Sequence, residues 1–244
     1  MASPQDRLAS PQGRLTGRLA VVTGASRGIG QAIASLFAQE GAHVAGCARH
    51  GDRPSFLDAL TPDQQRRCMF VACDVRRATD IARFRDEVHA RFGAPQILVN
   101  NAGIVARAPA LALSEETWND VLASNLTGTF LVIQAFLPFL KAQPGGRIIN
   151  LASIAGRMGT PQLSAYCAAK HGVVGLTRSL AEEFRGDGVA VNAVCPGSVD
   201  TDMLKQGMPG AQPKMSPAEV ARVALFLAAD APSALTGACL DVFG

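Results

Sequence analysis

From Arg18 onward, short apolar runs rich in β-branched residues alternate with longer stretches of helical period. That alternation restricts the chain to repeated βαβ units around a parallel sheet, because parallel strands need a long crossover and helices on both faces. The runs at 19–23, 43–47, 69–73, 97–100, 147–152, 189–195 and 239–243 predict seven strands. Helical periods at 30–39, 79–92, 114–141, 164–184 and 217–229 fill the gaps, and Ser216, Pro217 and Glu219 spell a capping box at the start of the last. The polar segment 49–67, with Gly51, Pro54 and Pro62, holds one short helix. At 244 residues the chain suits one domain, over 18–244. Residues 1–17 carry a tandem Ser-Pro-Gln-x-Arg-Leu at 3–8 and 10–15, have no apolar core like that of a secretory signal, and read as a disordered tail.

Charge and composition exclude several classes. The net charge is +3, but the basic residues are scattered, which gives no footprint for nucleic acid. The doublets Arg66-Arg67 and Arg76-Arg77 read as solvated surface. The most apolar stretch, 130–140, is interrupted by Gln134 and Pro138 and falls short of the roughly 18 residues of a bilayer crossing, so no membrane partner is expected. The cysteines at 47, 68, 73, 167, 195 and 239 show no Cys-x-x-Cys spacing. They read as reduced, packed thiols of a cytoplasmic protein, and no metal site is expected.

Chemistry-bearing residues gather where strands end. Gly24, Ser26, Arg27, Gly28, Ile29 and Gly30 follow the first strand and open the first helix, where tight turns and free N–H groups suit a diphosphate. The spacing is Gly-x3-Gly-x-Gly, which differs from the commoner Gly-x-Gly-x-x-Gly, so alone it could be a plain strand-to-helix turn. Asn100-Asn101-Ala102-Gly103 ends the fourth strand, and Ser153 closes the fifth. Tyr166, the only tyrosine, and Lys170 lie four apart and so share one helical face. The Gly- and Pro-rich segment 198–215 follows the sixth strand and reads as a lid with an open apolar mouth of Met203, Leu204 and Met208.

In order and spacing, the glycine loop, Asn100 to Gly103, Ser153, Tyr166-x3-Lys170 and Pro196-Gly197 resemble the short-chain dehydrogenase/reductase family over essentially 18–244. The resemblance implies a doubly wound Rossmann fold, α/β, with strand order 3-2-1-4-5-6-7. It also implies a catalytic tetrad of Asn125, Ser153, Tyr166 and Lys170. Tyr166 is the proton donor, and an adjacent Lys170 ammonium should lower its pKa. In the family pattern Lys170 also binds the nicotinamide ribose, Ser153 orients the carbonyl and Asn125 holds a water. Asp74 and Val75 correspond to the adenine-contacting pair. Asn101, Ala102, Gly103, Pro196, Gly197 and Val199 complete the cofactor set. Helix pairing and last-strand pairing imply a homodimer or homotetramer.

The end of the second strand bears on the cofactor. The register places Ala48 where NAD users carry an acid, while Arg49 and Arg27 offer forked donors suited to a 2′-phosphate, which favours NADP. Overall similarity points to the 3-oxoacyl-thioester reductase branch, through Asn125 to Thr129 and Asp200 to Met203. A shorter segment after Met203 and the C-terminal Asp241 to Gly244 depart from that branch. A broad small-ketone or secondary-alcohol reductase is the alternative. A regulator that senses NADP without turnover is the reading from a different class.

Overall fold

The computed structural model describes residues 13–51 and 53–244. Its strands are β1 (Leu19–Thr23), β2 (His43–Ala48), β3 (Cys68–Ala72), β4 (Ile97–Asn100), β5 (Arg147–Leu151), β6 (Ala190–Pro196) and β7 (Cys239–Val242). All pair in parallel, in the order β3-β2-β1-β4-β5-β6-β7, as a Rossmann sheet. Strand ends differ from expectation by at most a residue. The helices are α1 (Gly28–Gln39), α2 (Pro62–Arg66), α3 (Ala78–Phe92), α4 (Glu115–Leu122), α5 (Gly128–Lys141), α6 (Ser164–Glu183), α7 (Asp202–Gly207) and α8 (Pro217–Leu225).

Period-two sorting builds the layers. In β1, Ala20 and Val22 join Ile33 and Phe37 of α1 and Val220 and Leu225 of α8 in one core. Leu19 and Val21 face the other way, toward Phe84 of α3, Phe136 of α5 and Leu180 of α6. Every residue of β1 is therefore buried, which is why a central parallel strand reads as an unbroken apolar run.

Three expectations are corrected. Residues 114–141 are not one uniform helix, since a π-turn at Ala123–Thr127 separates α4 from α5; another, at Phe226–Asp230, ends α8. Polar segment 49–67 holds two short elements, a 3₁₀ turn at Ser55–Ala59 and α2, the latter started by Thr61 and Gln64 bonding reciprocally. The folded body also begins before Arg18. Leu15 is fully buried, its N–H donates to the Glu40 carbonyl at 2.8 Å, and Arg14 bridges Glu40 and Asp230. The first hexapeptide copy, at 3–8, lies outside the described residues.

Gln134 and Pro138 do not interrupt the helical run from Glu115 to Lys141, which is long and apolar enough by composition to cross a membrane. It instead lies against the sheet, burying Val132, Ile133, Phe136 and Leu140. Ser216 and Glu219 start α8 as expected, the carboxylate accepting the Ser216 N–H at 2.8 Å. All six cysteines are unpaired, and only Cys239 is not buried.

Candidate active site

The C-terminal ends of the strands open into a cleft of about 1590 Å³. Its wall begins at the turn between β1 and α1. A Cβ on Gly30 would lie 2.2 Å from Asn101 Nδ2, so only glycine lets α1 start this close to the end of β4. That amide donates to the Thr23 and Gly24 carbonyls at 3.1 and 3.0 Å and locks the two turns together. At the start of α1, Arg27 provides no side-chain cap and the first turn holds no acid, leaving its N–H groups open to an anion.

Of the residues expected to hold a cofactor, Gly24, Ser26, Arg27, Gly28, Ile29, Arg49, Asp74, Val75, Asn101, Ala102, Gly103, Tyr166, Lys170 and Pro196 line this cleft, as does Ala48. Gly30 lies beneath it. Gly197 and Val199 do not face it: the Gly197 N–H donates to Val242 at 2.8 Å, and Val199 is buried and bridged to Met215.

Tyr166 and Lys170 project from one face of α6. Gly156 brings the turn after Ser153 against that helix, where a Cβ would sit 2.6 Å from the Lys170 carbonyl. Ser153 caps this turn, its Oγ accepting the Ala155 N–H at 3.1 Å. Lys170 Nζ donates to the Leu151 carbonyl at 2.6 Å and lies 5.6 Å from the Tyr166 ring centroid. Asn125 sits in the π-turn, with Nδ2 donating to Ile104 and Val121 at 2.8 and 2.9 Å. Its buried Oδ1 has no partner among the described residues.

The electrostatics correct one expectation. The Tyr166 phenol is not lowered; burial pushes it up to about 12, with the Ser153 hydroxyl opposing. Burial likewise pushes Lys170 down to about 8. Desolvation outweighs attraction because the ammonium is spent on the Leu151 carbonyl instead of the phenol. The Tyr166 hydroxyl donates instead to Met203 Sδ, a weak acceptor, at 3.7 Å.

At the other end of the cleft, Asp74 is clamped by Arg76, with Nη2 at 2.7 Å, which holds its carboxyl below the usual range; Arg49 adds a smaller effect. Arg76 also reaches Asp120 at 3.0 Å, so it is a positioning group and not merely solvated surface. Arg27 forms an exposed ion pair with Asp202 of α7, 3.3 Å across the cleft mouth.

The lid docks on the body at Gly207. Gly207 is buried against Val105, and Arg107 donates to its carbonyl at 3.1 Å. Met203 lines the cleft, whereas Leu204 and Met208 do not. Around the Tyr166 ring, Val105, Ala155, Leu163, Cys167 and Met203 form an apolar cluster.

Sequence reasoning missed the buttresses. Thr23 Oγ1 accepts the N–H groups of Asn101 and Ala102, both at 3.1 Å. Behind the site a buried chain runs from Asn100 to Asn150 to Thr177, each step 2.9 Å. Buried polar positions on β4, β5 and α6 were the available signal, since such groups need partners.

A family profile described as short chain dehydrogenase matches residues 18–211. The D-threitol dehydrogenase of Mycolicibacterium smegmatis is 40% identical over 242 residues, 95% of this chain and 93% of that protein. The 3-oxoacyl-(acyl-carrier-protein) reductase of Vibrio cholerae is 37% identical over 240 residues, covering 94% and 97%. Among solved structures, ligand-free aldohexose dehydrogenase of Thermoplasma acidophilum superposes with a TM-score of 0.84 at 29% identity, over 95% of this chain and 94% of that one.

Proposed function

The chain belongs to the short-chain dehydrogenase family, and from that premise we propose that it reduces a ketone to a secondary alcohol with NADPH. The observation that carries the reading is that Tyr166 and Lys170 line the same cleft as an uncapped helix N-terminus, with the Ser153 hydroxyl beside Tyr166. Bound nucleotide supplies the hydride. Negative charge then grows on the substrate oxygen, and Tyr166 gives that oxygen a proton. A carbonyl oxygen displaces Met203 Sδ from the tyrosine hydroxyl, because oxygen is the stronger acceptor. Ser153 orients the carbonyl, and Lys170 donates to the nicotinamide ribose. The partnerless Asn125 Oδ1 is an acceptor suited to a water that returns the proton from solvent.

For the coenzyme, Ala48 brings no carboxylate to the 2′ position, and Arg27 and Arg49 supply positive charge on the same wall. Substrate class follows from the apolar surround of Tyr166, which offers few partners for the hydroxyls of a polyol. A 3-oxoacyl thioester is the leading substrate, in keeping with the similarity to 3-oxoacyl-(acyl-carrier-protein) reductases. A small-ketone reductase is the second reading, favoured by the six-residue α7 docked low over the site. Half-exposed Phe130 on α5 and the open edge of β7 support assembly into dimers or tetramers, and the six unpaired cysteines support a cytoplasmic setting.

The test is NADPH oxidation against acetoacetyl thioesters, diketones and cyclic ketones. Turnover of several is expected, with kcat/KM differing less than about 10⁴-fold between close analogues, since apolar contacts discriminate weakly per methylene. Tight NADPH binding without turnover across the panel would instead favour a nucleotide-sensing regulator.

Protonation gives a further expected result. Lys170 in the free protein titrates near 8, and only its charged form binds the ribose as an ammonium. Since kcat/KM for the nucleotide reports the free enzyme, it should be level below pH 8 and fall about tenfold per unit above it. A level profile to pH 10 would show that the ammonium is not required for capture.

A further inference from the structure

Two cysteines meet at the adenosine end of the cleft, where β2 and β3 finish. Cys47 lies opposite Val71 in the ladder, and the Cys73 N–H donates to the Ala48 carbonyl at 2.8 Å. Cys73 is therefore two residues beyond the partner of Cys47, on the same face of the sheet. Both side chains belong to one buried cluster, close enough for each thiol to shift the other's titration. Their surroundings differ. Cys73 lines the cleft next to Asp74, and it is the only cysteine that does so among the described residues. Cys47 is fully buried behind it, tied to the glycine loop through its carbonyl, which accepts the Ala25 N–H at 3.0 Å.

We propose that Cys47 and Cys73 are an oxidative modification site, a dithiol that hydrogen peroxide closes to a disulfide when the cleft is empty and that bound nucleotide shields. The division of labour follows from position. Cys73 is the attacking sulfur because it borders the cleft, and the neighbouring Cys47 thiol holds its pKa below the usual range. Cys73 sulfur attacks one peroxide oxygen, the O–O bond breaks, and Cys73 becomes a sulfenic acid as one water leaves. Cys47 sulfur then attacks the sulfenic sulfur, the S–O bond breaks and a second water leaves with the thiol proton. In sum, two thiols and one peroxide give one disulfide and two waters.

The consequence is geometric. Diagonal neighbours on adjacent strands stand about 7–8 Å apart at Cα, whereas a disulfide spans about 4.4–6.8 Å. Closure therefore draws the ends of β2 and β3 together, shifting Ala48 and Asp74 on the cleft wall and pulling on the loop bonded to Cys47. Oxidised protein should bind nucleotide at least tenfold more weakly. This rests on a nucleotide occupying the cleft, and neither on coenzyme preference nor on substrate.

The experiment treats reduced full-length protein with hydrogen peroxide, alone and with NADP⁺ or NAD⁺ at concentrations shown by calorimetry to saturate it. The expected result is a linked peptide pair containing Cys47 and Cys73 in the free protein, formed at least tenfold more slowly with nucleotide bound. Binding should weaken after oxidation and return with dithiothreitol. In Cys47→Ala the Cys73 sulfenic acid should persist and react with dimedone; in Cys73→Ala neither species should form. Should either variant fail to fold, the wild-type peptide map still decides. Absence of the linked pair, its formation at the same rate with nucleotide bound, or unchanged binding after complete linkage would overturn the proposal. Failure of reduced protein to bind either nucleotide would overturn the functional reading, while linkage in the free protein is scored separately.

Discussion

Tyr166→Phe is expected to lower turnover at least 10²-fold, the usual worth of a positioned proton donor, while NADPH still binds. The substitution removes one hydroxyl from the cluster of Val105, Leu163, Cys167 and Met203, losing its weak bond to Met203 Sδ and its contact with the Ser153 hydroxyl. Folding should change little, because the ring still fills its space. kcat and kcat/KM for the ketone should fall together, the mark of an interaction made in the transition state and not in the ground state. Stopped-flow hydride transfer with fluorescence titration of NADPH separates the two. Retention of more than a tenth of the wild-type rate would remove Tyr166 from the assigned role.

The second large effect concerns coenzyme choice. Charge-assisted bonds are worth about 1.5–3 kcal/mol each, so Arg27 and Arg49 together should favour NADPH over NADH by roughly 10²- to 10⁴-fold. The lower part of that range is expected, because Arg27 must first leave Asp202. Ala48→Asp should erase most of the preference, since a carboxylate there repels the phosphate and accepts the ribose hydroxyl. Titration of both proteins with both coenzymes measures it. Equal wild-type affinities, or a ratio that Ala48→Asp leaves unmoved, would mean that the 2′ position lies elsewhere.

Much of the architecture was legible because the forces that set it are local and periodic. A strand covered on both faces reads as Leu19 to Thr23 does, and Ser216 with Glu219 states where α8 begins. Tyr166 and Lys170 were brought together by helical spacing alone. The features that escaped depend on depth or on distant partners. Four-residue spacing places Lys170 near Tyr166 but cannot say that its ammonium turns to the Leu151 carbonyl, or that burial dominates both titrations. The ion pair of Arg27 with Asp202 joins residues that no local pattern connects. Leu15 followed a polar, repetitive segment, and a lone apolar residue there carries no periodicity from which burial can be read. Residues 130–140 are apolar on almost every side, so the phase step at Ala123–Thr127 could not be read from periodicity.

The π-turn at Ala123–Thr127 makes the long helix a fixed rotational joint. An i→i+5 turn holds one residue more than an α-turn, so everything after it is rotated by about 100° relative to an uninterrupted helix. Residues ahead of the joint face α6, and those beyond it face α3 and the sheet. Loss of a single residue from the joint would restore α-helical phase and swing Val132, Ile133, Phe136 and Leu140 off their shared surface. Substitution and deletion therefore differ in kind here: an exchanged side chain is a local event, whereas a shortened segment misaligns every later turn of α5, so length is the property that evolution and engineering must preserve.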